Sequence, residues 1–158
     1  MLRPRSRLAA ATGLFSLAAF ALAGCSAVIS LEPAANADDP LCAEVSVRYP
    51  DELAGQARVW TDAQATASWG SPTAVVVSCG VEPPGPTTLP CQTVGSVDWI
   101  IDDSDAPRYL VTSFGRTPAV QVYLDNEAVS SLDVLDALSP AVSRLPVDGR
   151  CTERPAGE

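Results

Sequence analysis

Apolar and polar positions along this chain fall into four regimes. Residues 8–23 are apolar except for Thr12, Gly13 and Ser16, and Arg3, Arg5 and Arg7 precede them. A positive segment followed by an apolar run is the layout of an export signal. Residues 26–41 are small and polar, with Pro33, Ala34, Ala35, Asn36, Asp38, Asp39 and Pro40, too poor in large apolar side chains to pack, and are predicted to form a flexible tether. From there to about residue 125 the pattern is mostly alternating, and from Asn126 it changes to a spacing near three.

Within the third regime, Val45 and Val47 alternate with Glu44, Ser46 and Arg48, which predicts a half-buried strand, with a short helix as the alternative. Residues 50–53 predict one helical turn ended by Gly55, then an extended Arg58-Val59-Trp60. Thr61 with Gln64 resembles a capping box opening an Ala-rich turn up to Trp69. The β-branched run of residues 73–79 lies between Gly70-Ser71-Pro72 and Gly80, as expected of a central strand covered on both faces. Val97, Trp99 and Ile101 share one side of a strand, Leu110, Thr112 and Phe114 of another, and Val120, Val122 and Leu124 of a third. The connectors, residues 102–107 and 115–118, are short and rich in turn formers, so these strands are predicted to pair as an antiparallel meander.

Val129, Leu132, Leu135 and Leu138 then mark one amphipathic helix, with Asn126 as its N-cap and Pro140 ending or kinking it. Ser139 is a candidate cap for a further turn through Val142 and Leu145. Together these elements predict an α+β fold: a small, mostly antiparallel sheet of four to five strands with one main C-terminal helix packed on one face.

Directly after the apolar run, Leu22-Ala23-Gly24-Cys25 resembles the bacterial lipoprotein lipobox at all four positions. That resemblance implies cleavage before Cys25, a diacylglyceryl group on its thiol and further acylation of the new N-terminus; two or three acyl chains hold a protein firmly where one does not. Two other outcomes share these residues. Ala21-Leu22-Ala23 is also a site for the ordinary signal peptidase, and residues 8–31 carry no charge, enough to span a bilayer uncleaved. The predicted organisation is a signal over 1–24, lipidated Cys25 with its tether over 25–41, one globular domain over 42–151 and a disordered tail over 152–158.

Beyond residue 24 the chain holds seven arginines against nineteen acidic residues, a formal charge of −12. Nucleic acid and anionic lipid call for a basic face and are poor partners for such a surface. The absence of lysine and histidine excludes Ser-His-Asp and Cys-His catalysis, Schiff bases, P-loop phosphate binding and histidine metal sites. Once Cys25 is assigned to lipid, Cys42, Cys79, Cys91 and Cys151 remain, an even number that predicts two disulfides in an exported chain. Three connectivities are open. The favoured one joins Cys79 to Cys91 around the Pro-rich loop of residues 81–86 and Cys42 to Cys151 across the ends of the domain. A zinc site is disfavoured, because no C-x-x-C pair is present.

Three patches together resemble the actinobacterial domain of unknown function 3515 family: Trp69-Gly70-Ser71-Pro72 running into Val75-Val76-Val77-Ser78-Cys79-Gly80-Val81; Val94-Gly95-Ser96-Val97-Asp98-Trp99; and Gly115-Arg116-Thr117-Pro118-Ala119-Val120. The resemblance covers roughly residues 42–151. It implies a small exported or membrane-attached bacterial protein, and no mechanism.

Candidate chemistry is sparse. Asp102, Asp103 and Asp105 are the densest carboxylates, but the full calcium-loop pattern is missing and a hairpin turn selects the same residues. Arg108 and Arg116 flank the middle strand of the meander, where they are candidates to hold an anion or, more simply, to pair with the chain's own acids. Trp60, Trp69, Trp99, Tyr109 and Tyr123 are candidates to line a sugar or peptide groove, with core packing as the competing role and Trp99 expected to be buried. Asp98 with any of Asp102, Asp103 or Asp125 is a pairing for carboxylate hydrolysis, although nineteen acidic residues supply some such pair by number alone.

The expectation is a non-enzymatic, lipid-anchored component of the cell envelope that binds or scaffolds an envelope protein or wall component. It needs no cofactor, metal or nucleic acid. A carboxylate-dependent envelope hydrolase and a small solute- or ion-binding module are the alternatives.

Overall fold

A computed structural model describes residues 28–152; Cys25 and the leader lie outside them. Eleven elements follow in order: β1 (Val28–Ile29), α1 (Pro40–Ser46), β2 (Glu52–Leu53), β3 (Gln56–Thr61), β4 (Thr66–Trp69), β5 (Val75–Val81), β6 (Cys91–Val94), β7 (Val97–Asp105), β8 (Arg108–Phe114), β9 (Ala119–Asp125) and α2 (Ser131–Val142). The strands form one nine-stranded sheet in the order β1-β3-β4-β5-β9-β8-β7-β6, with β2 paired to β3 off that path. Only the β1–β3 pair is parallel. The fold is thus α+β with a mostly antiparallel sheet, but the sheet is about twice as wide as the four to five strands expected.

Register across the sheet shows which face is the core. Ala67, Val77, Val122, Val111 and Ile101 lie opposite one another across successive strands, as do Trp69, Val75, Leu124 and Tyr109. Nearly all of these are buried against Cys42 and Val45 of α1 and Val134, Leu135, Leu138, Ala141 and Val142 of α2. The meander predicted from the short connectors is present as β7, β8 and β9. Strand β5 is central, but it is fully covered only on this face: Val76 and Ser78 on the other are half-buried.

Several local expectations are corrected. Residues 44–48 are not a strand, because Asp39 caps a helix there: its carboxylate accepts from the Leu41 N–H at 2.8 Å, and Pro40 occupies the first turn. Positions two apart on a helix point to opposite sides, so Val45 is buried while Val47 is exposed. The Ala-rich turn before Trp69 is instead the β3–β4 hairpin, closed where Thr66 Oγ1 meets Ala63 O at 2.7 Å and Thr61 Oγ1 at 2.8 Å. Residues 52–53 form β2 rather than a helical turn.

Helix α2 starts later than expected. Its cap is Ser130, whose hydroxyl accepts from the Asp133 N–H at 3.3 Å, while the Asn126 side chain accepts from Ser131 N–H in the preceding turn. The buried stripe follows the true helical period, and Leu132, which a strict three-residue spacing would bury, is 63% exposed. Pro140 lies inside the helix instead of ending it. The carbonyl that its missing N–H leaves free belongs to exposed Asp136, where water can bond it.

Two disulfides are present with the favoured connectivity corrected: Cys42 pairs with Cys79 and Cys91 with Cys151. The physical reason is the sheet order. Helix α1 packs over β5, which brings Cys42 onto Cys79, whereas β6 is the far edge strand, where the C-terminal segment arrives with Cys151. Residues 28–41, expected to be a tether, carry β1 and the start of α1, and Asn36 N–H donates to Gly80 O at 3.0 Å.

Candidate functional site

After α2 the chain leaves the helix-covered side, rounds the end of the sheet and returns across its other face. Two motif residues guide this path. Gly115, at φ +61°, lets the backbone of Gly149 pass against it with no room for a Cβ, and its carbonyl accepts from Asp148 N–H at 2.7 Å. Arg116, only 4% exposed, donates to the carbonyls of Leu145 at 2.6 Å, Ser96 at 2.8 Å and Ser143 at 3.5 Å. Desolvation first, and the Arg150 charge second, push its pKa below the usual guanidinium range, with Asp98 opposing them.

Asp98 completes the fastening. It is buried on the same face as Thr93 and accepts from the Thr93 hydroxyl at 2.6 Å and from Cys151 N–H at 2.8 Å. The Cys91–Cys151 disulfide then ties the returning segment to the edge strand.

What this return creates is a groove of about 980 Å³ on the partly open face. The Pro-rich loop of residues 84–90 lines it together with Arg150, Cys151 and Thr152, and Ile100 and Phe114 contribute from the sheet. Among the described residues no acidic side chain lines it, although the chain carries nineteen. Apolar surface, the hydroxyls of Thr87, Thr88, Thr93 and Thr152 and the Arg150 guanidinium line it.

The residues singled out from sequence are mostly elsewhere. Asp102, Asp103 and Asp105 sit at the β7–β8 hairpin end: Asp102 accepts from Ser104 N–H at 3.0 Å and Asp105 from the Tyr123 hydroxyl at 3.2 Å. Hydrogen bonds from Ser104 hold the Asp102 carboxyl below its ordinary range. Among the described residues no group of three or more acidic or cysteine side chains is placed to hold a metal ion. Arg108 is exposed in the same hairpin and Arg116 is the buried clamp just described, so the two do not form one anion site. Neither makes an ion pair with a carboxylate among the described residues.

Trp69 and Trp99 are fully buried, and Trp69 donates to Pro50 O at 3.0 Å. Asp125 accepts from Glu127 N–H at 3.0 Å in the turn leaving β9. The groove is not legible in the sequence because its lining comes from four separated stretches. The signal available was the Pro-rich run ending on Cys91.

Fold and site together define a class: a disulfide-stapled α+β domain with helices on one sheet face and a strapped groove on the other. Its motif residues hold the strap in place. The chain belongs to the family described as protein of unknown function (DUF3515), whose model matches residues 8–148. No curated protein and no solved structure matches it significantly.

Proposed function

We propose that this is a lipid-anchored, extracytoplasmic binding module that holds an extended, neutral or anionic segment of another envelope component in the groove between the Pro-rich loop and the C-terminal strap. The carrying observation is the groove itself: an apolar and hydroxyl-lined surface with Arg150 at its side and, among the described residues, no carboxylate in its lining, on a chain of strongly negative charge.

Support for the compartment comes from two sources. Paired cysteines form and persist where the surroundings are oxidising. The family match begins at residue 8, inside the apolar leader that ends on the lipobox, so the leader belongs to the matched region. Among the described residues no helix is long and apolar enough to cross a membrane.

Photo-crosslinking in native membranes tests the binding reading. A crosslinker at Thr88, in the loop that lines the groove, is expected to yield a discrete adduct that Leu89→Asp and Arg150→Glu abolish without lowering the melting temperature. One at Leu132, on the exposed side of α2, is expected to yield none. Equal adducts from both positions, or adducts indifferent to the two substitutions, would sink it.

A further inference from the structure

Trp60 stands outside the packed core. It is 67% exposed on β3, and its register partner on the parallel strand β1 is Val28, itself 56% exposed. An exposed tryptophan beside an exposed valine, on the first described strand, sits where the chain arrives from Cys25.

That arrival is tight. Asp62 accepts from the Ser30 hydroxyl at 2.7 Å and from Leu31 N–H at 2.9 Å, and its own N–H donates to Ile29 O at 3.2 Å. Strand β1 is therefore fastened to β3, and only residues 26 and 27 separate it from Cys25. Three Cα steps reach at most about 11 Å, and neighbouring strands lie about 4.8 Å apart. A lipid on Cys25 would hold Trp60 at the level of the headgroups.

The chemistry beside Trp60 suits that depth. Arg58 lies 5.8 Å from the Trp60 ring centroid and 5.9 Å from those of Tyr49 and Trp69. No carboxylate pairs with it among the described residues. A shallow depression of about 450 Å³ beside these two side chains runs to the turn of residues 70–73.

We infer that the β1–β3 edge is a membrane-seating surface, with the Trp60 indole in the headgroup region and Arg58 facing a lipid phosphate. This rests on the lipid-anchored reading for its geometry. Tryptophan, with an apolar body and one N–H, concentrates at such interfaces. The contact is local, so the negative charge of the domain as a whole does not oppose it on a zwitterionic surface.

The test uses the full chain extracted from membranes and reconstituted in phosphatidylcholine vesicles, with and without bromine on the acyl chains, beside an intact-mass measurement. Trp69 and Trp99 are fully buried, so the component of emission lost in Trp60→Phe belongs to Trp60. That component is expected to be quenched by brominated lipid and shielded from aqueous acrylamide, and Arg58→Glu is expected to weaken the quenching at unchanged melting temperature. A preparation that carries the lipid adduct but leaves Trp60 open to acrylamide and untouched by bromine overturns the seating surface and leaves the anchor standing. Bromine quenching in a chain with its leader uncleaved and no adduct supports the surface and defeats the lipid anchor. A chain with neither adduct nor leader, and no association with vesicles, defeats both.

Discussion

Arg116 shows how one side chain can organise a fold without touching a ligand. Its guanidinium gathers carbonyls from the β6–β7 turn and from the end of α2, where the helix presents partial negative charge. Arg116→Met is expected to cost about 3 kcal/mol of unfolding free energy, because buried carbonyls lose a charged donor. Arg116→Lys should recover only part, since one ammonium cannot reach carbonyls on both sides of a planar fork. Urea titration of both variants checks this, and a loss below about 1 kcal/mol for the methionine variant would count against a clamp.

Asp62 is a second residue with a readable consequence. Hydrogen bonds from the Ser30 hydroxyl and Leu31 N–H hold its carboxyl below the ordinary value of 3.8. With the folded pKa depressed, the contribution to holding β1 is complete above that ordinary value and is lost as pH falls through the lower, folded one. The protection factor of the Leu31 amide is therefore expected to be constant near neutrality, to fall below about pH 4, and to be low at every pH in Asp62→Asn. Amide exchange followed residue by residue measures it.

At the level of elements, α2 separates pattern from position. The spacing of Val129, Leu132, Leu135 and Leu138 correctly announced a helix and its inner leucines. It placed the cap four residues early, because Asn126 and Ser130 are both good cap residues and the Asn126 side chain instead accepts from Ser131 N–H while Ser130 caps the helix. Leu138→Ala is expected to cost about 2–5 kcal/mol by leaving a cavity, whereas Leu132→Glu should change stability by less than about 0.5 kcal/mol. Thermal melts of the pair distinguish this register from one that buries Leu132.

The disulfides act on elements too. With sequence separations of 37 and 60 residues, chain entropy gives each about 4 kcal/mol. Replacing Cys91 and Cys151 by serine is expected to free the strap, raising protease sensitivity near Arg150 before the core melts. Replacing Cys42 and Cys79 should instead loosen α1 from β5. Non-reducing peptide maps confirm the pairing if the linked peptides contain Cys42 with Cys79 and Cys91 with Cys151.

Across the whole molecule, what could be foreseen was local and periodic. Alternation at Val97, Trp99, Ile101 and at Val120, Val122, Leu124 located the meander, since side chains two apart on a strand share a face. The four cysteines beyond Cys25 foretold two disulfides, and the W-G-S-P, G-S-V-D-W and G-R-T-P patches carried the family. Short strands were missed because β1, β2, β4 and β6 are two to four residues long, too short for alternation to register, and form by pairing with longer neighbours.

Which cysteines meet, which sheet face stays open, and how the groove closes depend on residues far apart in the chain: Cys91 with Cys151, Gly115 with Gly149, Arg116 with Leu145. Such contacts are set by strand order and by the path after α2, and a one-dimensional pattern holds no record of either. The sequence by itself determined the meander, the C-terminal helix, the presence of two disulfides and the charge. The tertiary structure alone decided the strap, the groove and the pairing of Val28 with Trp60, because these are distances between segments rather than properties of any one of them.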